Sequence, residues 1–166
     1  MKQWLSRLLL IAALLALGFW AWRTFFPGPE RVIQRRMGEL ARLASVSSQE
    51  SEVARLFNST KLAGYFSQDV QFNIDIPGVM RGELRGRDEL LRVASAARGL
   101  GSGMRVQFPD IVVHLDSGDE SALVNVTVEA RIPGERDTVL QEMKLTFSKI
   151  DGDWLISRVE TVKTLL

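Results

Sequence analysis

No cysteine occurs anywhere in the 166 residues. Disulfides, thiolate nucleophiles and zinc–thiolate sites are thereby excluded, and the chain fits any redox compartment. Histidine is almost as scarce. The single one, His114, lies between Val113 and Leu115 in a strand-like stretch and points opposite to them, as a surface or edge residue does. A surplus of one charge sign is missing too: the formal net charge is +1, and it falls to about −2 without Lys2, Arg7 and Arg23, which flank the first apolar run. A nucleic-acid binder carries a basic excess, so nucleic acid is not an expected partner. What remains is an ordinary globular composition, 46% hydrophobic and 25% charged, with no internal repeat. The length gives one domain with a proper core, plus an appendage.

The appendage is N-terminal. Residues 8–22, LLLIAALLALGFWAW, form a charge-free run of 15 behind Lys2 and Arg7. A bilayer core takes about 20 apolar residues, so the run spans only if it is extended over residues 4–26. A cleaved signal peptide has the same charge and length pattern. Trp20 and Trp22 beside Arg23 resemble an interfacial belt, and Ala16-Leu17-Gly18 is a poor cleavage signal before Phe19 and Trp20, so an anchor is the preferred reading. A short basic N-terminus retained inside implies export of the rest, whereas Arg23, Arg31, Arg35 and Arg36 beyond the run argue for the opposite orientation. The expectation adopted is a single-pass membrane protein with its soluble domain extracytoplasmic, the periplasm in a bacterium. The boundaries are an anchor or signal peptide at 1–26, a Pro-Gly-Pro linker at 27–29 and a domain at 30–166.

Within the domain, Val32, Ile33, Met37, Leu40 and Leu43 fall at helical spacing. SSQE at 47–50 fits a capping box before a second helix, whose apolar side holds Val53, Leu56 and Phe57 and then Tyr65 and Phe66. The period then changes to two: Val70, Phe72, Ile74 and Ile76 alternate with polar residues, and Pro77-Gly78 ends the strand. A connection rich in Gly and Arg leads to a third helix at 86–100, with Leu90, Leu91, Val93 and Ala97 inward. Strands follow at 105–115 (with an irregularity at Pro109), 121–132, 138–149 and 154–162, joined by turn sequences. Asp151-Gly152-Asp153 lacks the spaced oxygen ligands of a metal loop and reads as a tight hairpin with its carboxylates in water.

Three short stretches, YFSQDVQF (65–72), GRDEL (86–90) and KIDGDWLISR (149–158), in that order, resemble the nuclear transport factor 2-like superfamily, also called SnoaL-like, with its cystatin-type cone. The likeness covers about residues 30–163. It implies an α+β, cone-shaped NTF2-like fold, with three N-terminal helices packed on a curved, mostly antiparallel sheet, here preceded by one transmembrane helix. That superfamily holds isomerases, dehydratases, epoxide hydrolases, binding domains and oligomerisation modules, so it predicts a pocket rather than a reaction.

Enzymes of the superfamily set an acid or base among apolar walls. On the apolar strand faces no ionisable residue occurs, and Asp75 is out of phase with its buried neighbours. Asp110, beside Pro109, and Tyr65 are the two candidates for acid–base work. The expected pocket is lined by Tyr65, Phe72, Val126, Phe147 and Trp154. Asp116, Asp119 and Glu120 suit a solvated turn better than a calcium site, so no metal and no cofactor is expected. Arg81, Arg85, Arg87, Arg92 and Arg98 gather around the third helix, as a solvated face or as a patch for anionic headgroups or an acidic partner. The outer sheet face is polar and admits at most a weak homodimer. The residues favour a membrane-anchored, non-catalytic NTF2-like module that binds a small apolar ligand or a protein partner. An isomerase- or dehydratase-type enzyme is the alternative.

Overall fold

Pro29 opens the first helix of the domain, because its missing N–H is an orphan at a helix start and its φ is already helical. Helix α1 (Pro29–Ala44) has Gly28 as its N-cap and buries Ile33, Met37 and Leu40. The computed structural model describes residues 15, 17–18, 28–76, 80–100, 103–134 and 138–162. Pro29 therefore belongs to the helix, where the sequence places it in a linker. The anchor expected at 4–26 lies outside the described residues apart from Leu15, Leu17 and Gly18, which are helical. Among the described residues no helix is long and apolar enough to cross a membrane.

Strands β1 (Phe66–Ile76), β2 (Met80–Arg85), β3 (Arg105–Leu115), β4 (Ser121–Arg131), β5 (Val139–Ile150) and β6 (Asp153–Thr161) form one sheet in the order β2-β1-β6-β5-β4-β3. Among the described residues only β1 and β6 pair in parallel. The ladder slips at three places: between Phe66 and Gln71, between Gln107 and Asp110, and between Thr146 and Phe147. Each slip bends its strand and increases the local twist. The inner face collects Val70, Val124, Phe147, Ile156 and Val159, and α1 lies on it with Ile33 and Met37 fully buried. Each such side chain contributes about 1.5–3 kcal/mol of burial. Ser45 ends α1 and ties it to the sheet edge, its Oγ accepting from the Val106 N–H at 2.9 Å. The last turn behaves as expected: Asp151 and Gly152 have φ of 52° and 86°, the positive values a two-residue hairpin needs. Asp153 does not face water alone, since Arg36 donates to it at 2.7 Å.

Strand β2 was not expected from the sequence. Its outward positions are Arg81, Glu83 and Arg85, and of its inward phase Gly82 offers no side chain while Leu84 is buried. Alternation is therefore nearly invisible in the composition.

The helices that follow α1 depart from the expected pattern. Helix α2 (Glu52–Ala63) is capped by Ser51, which accepts from the Ala54 N–H at 3.3 Å. The capping box expected at 47–50 does not form, because Glu50 is used elsewhere. Val53, Leu56 and Phe57, expected inward, are 80%, 65% and 65% exposed. The buried residues of α2 are instead Ser59 and Ala63, and the helix packs against helix α3 (Arg87–Leu100). On α3 Leu90 is buried as expected, while Val93 and Ala97 are exposed and Arg98 is buried. The reason is an ion pair. Arg98 Nη1 donates to both carboxylate oxygens of Glu50 at 2.9 and 3.1 Å, with the two side chains only 3% and 7% exposed. Asn58 donates to the same carboxylate. Arg98 Nη2 has no hydrogen-bond partner among the described residues.

A buried pair of this kind stabilises little over an apolar substitute, yet removing one partner strands the other charge. Arg98→Met should therefore lower the unfolding free energy by about 3–5 kcal/mol, and the double variant Glu50→Met/Arg98→Met should recover most of that loss. Urea midpoints of the three proteins check it. Equal loss in the single and double variants would show that the pair contributes through packing, not charge.

Candidate functional site

The cavity that the curved sheet leaves beneath α1 measures about 240 Å³. Leu40 and Ala44 of α1 and Leu62 of α2 roof it. Val126 and Val128 of β4, Met143 and Leu145 of β5 and Val159 of β6 form its floor. Phe66, Phe72 and Phe108 wall it, with Val106 beside them. Phe66 and Phe72 meet at a ring-centroid distance of 5.4 Å and a tilt of 38°, a mutually supporting geometry. Every residue that lines the cavity is apolar. Nothing there can move a proton or bind a metal, but an apolar body of matching size can displace the void.

Phe108 reaches the cavity because of the slip in β3. In uninterrupted alternation Phe108 and Asp110 would share a face. The extra residue at Pro109 breaks the phase, so Phe108 and Ile111 both turn inward while Asp110 pairs with Thr127 on the outer face. Asp110 is exposed there, in a shallow depression that also touches Asn125, Thr127 and Glu142. Tyr65 is half-buried beside the cavity and does not line it. Its hydroxyl donates to Glu39, and the Arg36 guanidinium lies 5.6 Å from its ring centroid. Burial, then the bond to Glu39, push the Tyr65 phenol above its usual range. The same bond holds the Glu39 carboxyl low, against the opposing effect of burial.

Of the five residues expected to line the pocket, Phe72 and Val126 do so. Phe147 and Trp154, 1% and 4% exposed, are packed into the core instead. Met143 and Leu145 belong to an apolar face that was already legible, whereas Phe108 and Val106 were hidden by the break in β3. His114 is exposed and pairs with Leu123, and Asp75 is bonded by Arg81 at 2.8 Å. Among the described residues no group of three or more His, Cys, Asp or Glu is placed to hold a metal. In the 116–120 turn Asp116 accepts from the Ser117 N–H at 2.9 Å, ordinary turn chemistry.

No protein-family model and no curated protein sequence matches the chain. Solved structures do. A protein of Novosphingobium aromaticivorans, provisionally titled a scytalone dehydratase, superimposes with a TM-score of 0.62 at 22% identity over 82% of this chain and 84% of its own. An NTF2-like protein with a cystatin-like fold from the same organism gives 0.61 at 13% identity over 91% and 86%. A cystatin-like domain of unknown function from Nostoc punctiforme gives 0.56 at 20% over 80% and 74%. The chain has the α+β, cystatin-like NTF2 fold. At these identities the likeness extends to the fold alone.

The Tyr65–Glu39 bond has a pH signature. Glu39's folded pKa is lowered from 4.5, so its contribution is present above that value and lost as pH falls through the folded pKa. Tyr65's is raised from 10.0, so its contribution is present below that value and lost as pH rises through the folded pKa. Wild type should thus exceed Tyr65→Phe in urea midpoint near pH 7, and the gap should close at both extremes. A gap independent of pH would mean that Tyr65 acts by packing.

Proposed function

We propose that the chain is a membrane-anchored, non-catalytic NTF2-like module whose cone binds a small apolar ligand. The observation that carries the reading is the cavity lining, apolar at every position around about 240 Å³. An apolar cavity of about 150 Å³ stays dry and takes up benzene, and drug-sized pockets begin near 300 Å³. The space here therefore suits a bicyclic hydrocarbon body or a medium alkyl chain. The anchor is supported by the apolar run at 8–22 with its tryptophan belt. An extracytoplasmic domain follows from a short basic N-terminus retained inside.

A second reading has one observation in its favour. Fold neighbours include proteins provisionally titled scytalone dehydratase, aromatic ring hydroxylase and polyketide cyclase. Such an enzyme here would need an acid or base in the cone. Tyr65 is already bonded to Glu39, and Asp110 stands on the outer face.

Naphthalene titration, read by the methyl NMR signals of the methionines, tests the reading. Met143 lines the cavity and Met37 is buried in the core, so Met143 should shift and Met37 should not. Val128→Trp, which fills the space from a half-buried floor position, should lower affinity at least tenfold in protein that remains folded. Undiminished binding by that variant would sink the cone as the binding site.

A further inference from the structure

The exposed face of α1 carries three arginines that the fold does not use. At about 100° per residue, Arg31, Arg35, Gly38 and Arg42 cluster within roughly 60° of arc, opposite Ile33, Met37 and Leu40. All four are exposed. Among the described residues none of the three arginines forms an ion pair. Arg42 makes only a long bond, 3.4 Å, to the Gly38 carbonyl of its own helix. Glu39 lies at the margin of the stripe, close enough to feel Arg35 and Arg42, but its carboxylate is turned to Tyr65. Glu30, in the first turn, lies about 80° beyond the other edge of the stripe.

The arginines around α3 differ. Arg81 is bonded to Asp75, Arg85 to Glu83, Arg87 to the Phe66 carbonyl and Arg98 to Glu50. The patch that the sequence suggested for anionic headgroups is therefore largely spent within the fold, with Arg92 left over.

Gly38 adds a second observation. Glycine inside a helix is unfavourable relative to alanine. Here a Cβ would meet nothing within 4 Å, so no contact inside the chain requires its absence. A bare position between Arg35 and Arg42 does let a flat surface come close to the helix. The third observation is position. Six residues, and so seven backbone steps, separate Trp22, the end of the apolar run, from Pro29, the start of α1. Even fully extended they reach at most about 25 Å.

We propose that α1 lies on the bilayer, its arginine stripe docked on anionic phospholipid headgroups. The proposal rests on the anchor in the reading above, because the tether supplies the effective concentration that makes a weak surface contact count. Beside a leaflet as rich in anionic lipid as a typical cytoplasmic one, each arginine would strengthen association by about fivefold, and three together by about a hundredfold. The attraction acts within a Debye length, about 8 Å at physiological salt, which a helix lying flat satisfies along its whole face.

Because the chain has no cysteine, Gln34→Cys gives a single labelling site at an exposed position beside the stripe and leaves Gly38 bare. The full-length labelled protein is reconstituted into phosphatidylcholine vesicles with or without phosphatidylglycerol, and quenching of the dye by acrylamide is measured. The expected result is at least threefold less quenching with phosphatidylglycerol, abolished at about 1 M salt, where the Debye length is about 3 Å. Arg31→Gln/Arg35→Gln/Arg42→Gln should abolish it as well, while Arg92→Gln should not. Equal quenching in both lipids, with the protein still floating on the vesicles, overturns the docking and leaves the anchor intact. Failure to float on neutral vesicles overturns the anchor, and protection on anionic vesicles alone would then still support the docking. Protection on neutral vesicles that survives the triple substitution would overturn the electrostatic contact.

Discussion

A six-stranded sheet encloses a space only if it bends, and this one bends where its ladders slip. The break at Pro109 does two things at once. It curves β3 toward the helices, and it shifts the phase so that Phe108 and Ile111 face inward and Asp110 faces out. Proline is suited to that position because it cannot donate to a ladder and is confined to edges and bulges, and β3 is an edge strand. The same constraint that shapes the cone therefore also sets its chemistry. With unbroken alternation through Pro109, Asp110 would share a face with Phe108.

Much of the sheet was legible in the sequence because half-burial imposes a period of two. Val124 and Val126 in β4, and Leu145 and Phe147 in β5, declare the inner face by alternation alone. The Asp151-Gly152 turn was legible from its need for positive φ. Strand β2 was not, since Gly82 removes one inward side chain and the outward arginines and glutamate mimic a loop. The lining of the cone was only half legible. Alternation tells which residues face inward but not which of them touch the cavity, and Phe147 and Trp154 are packed into the core while Met143 and Val128 border the void.

The helices failed differently. Periodicity in α2 places Val53, Leu56 and Phe57 on one stripe, and burial of that stripe is the ordinary inference. The structure buries Ser59 and Ala63 instead, and Glu50, just ahead of the helix, reaches Arg98 of α3. A buried ion pair between residues 48 apart leaves no periodic trace, because its members are charged and read as surface. The apolar stripe that results is exposed by that choice, not by a lack of hydrophobicity.

Helix α1 joins the cavity to the membrane contact proposed above. Its inner side supplies Leu40 and Ala44 to the roof of the cavity, and its outer side carries three arginines that form no ion pair among the described residues. A helix docked flat on headgroups would therefore hold the cavity roof within a helix diameter, about 10–12 Å, of the lipid surface. Apolar ligands partition into bilayers by the same burial of apolar area that would hold them in the cone. A short transfer from lipid to cone exposes less of the ligand to water than release into bulk solvent would. The two proposals are then coupled by geometry alone: the residues that seat the domain and the residues that roof its cavity lie on opposite sides of the same sixteen-residue helix.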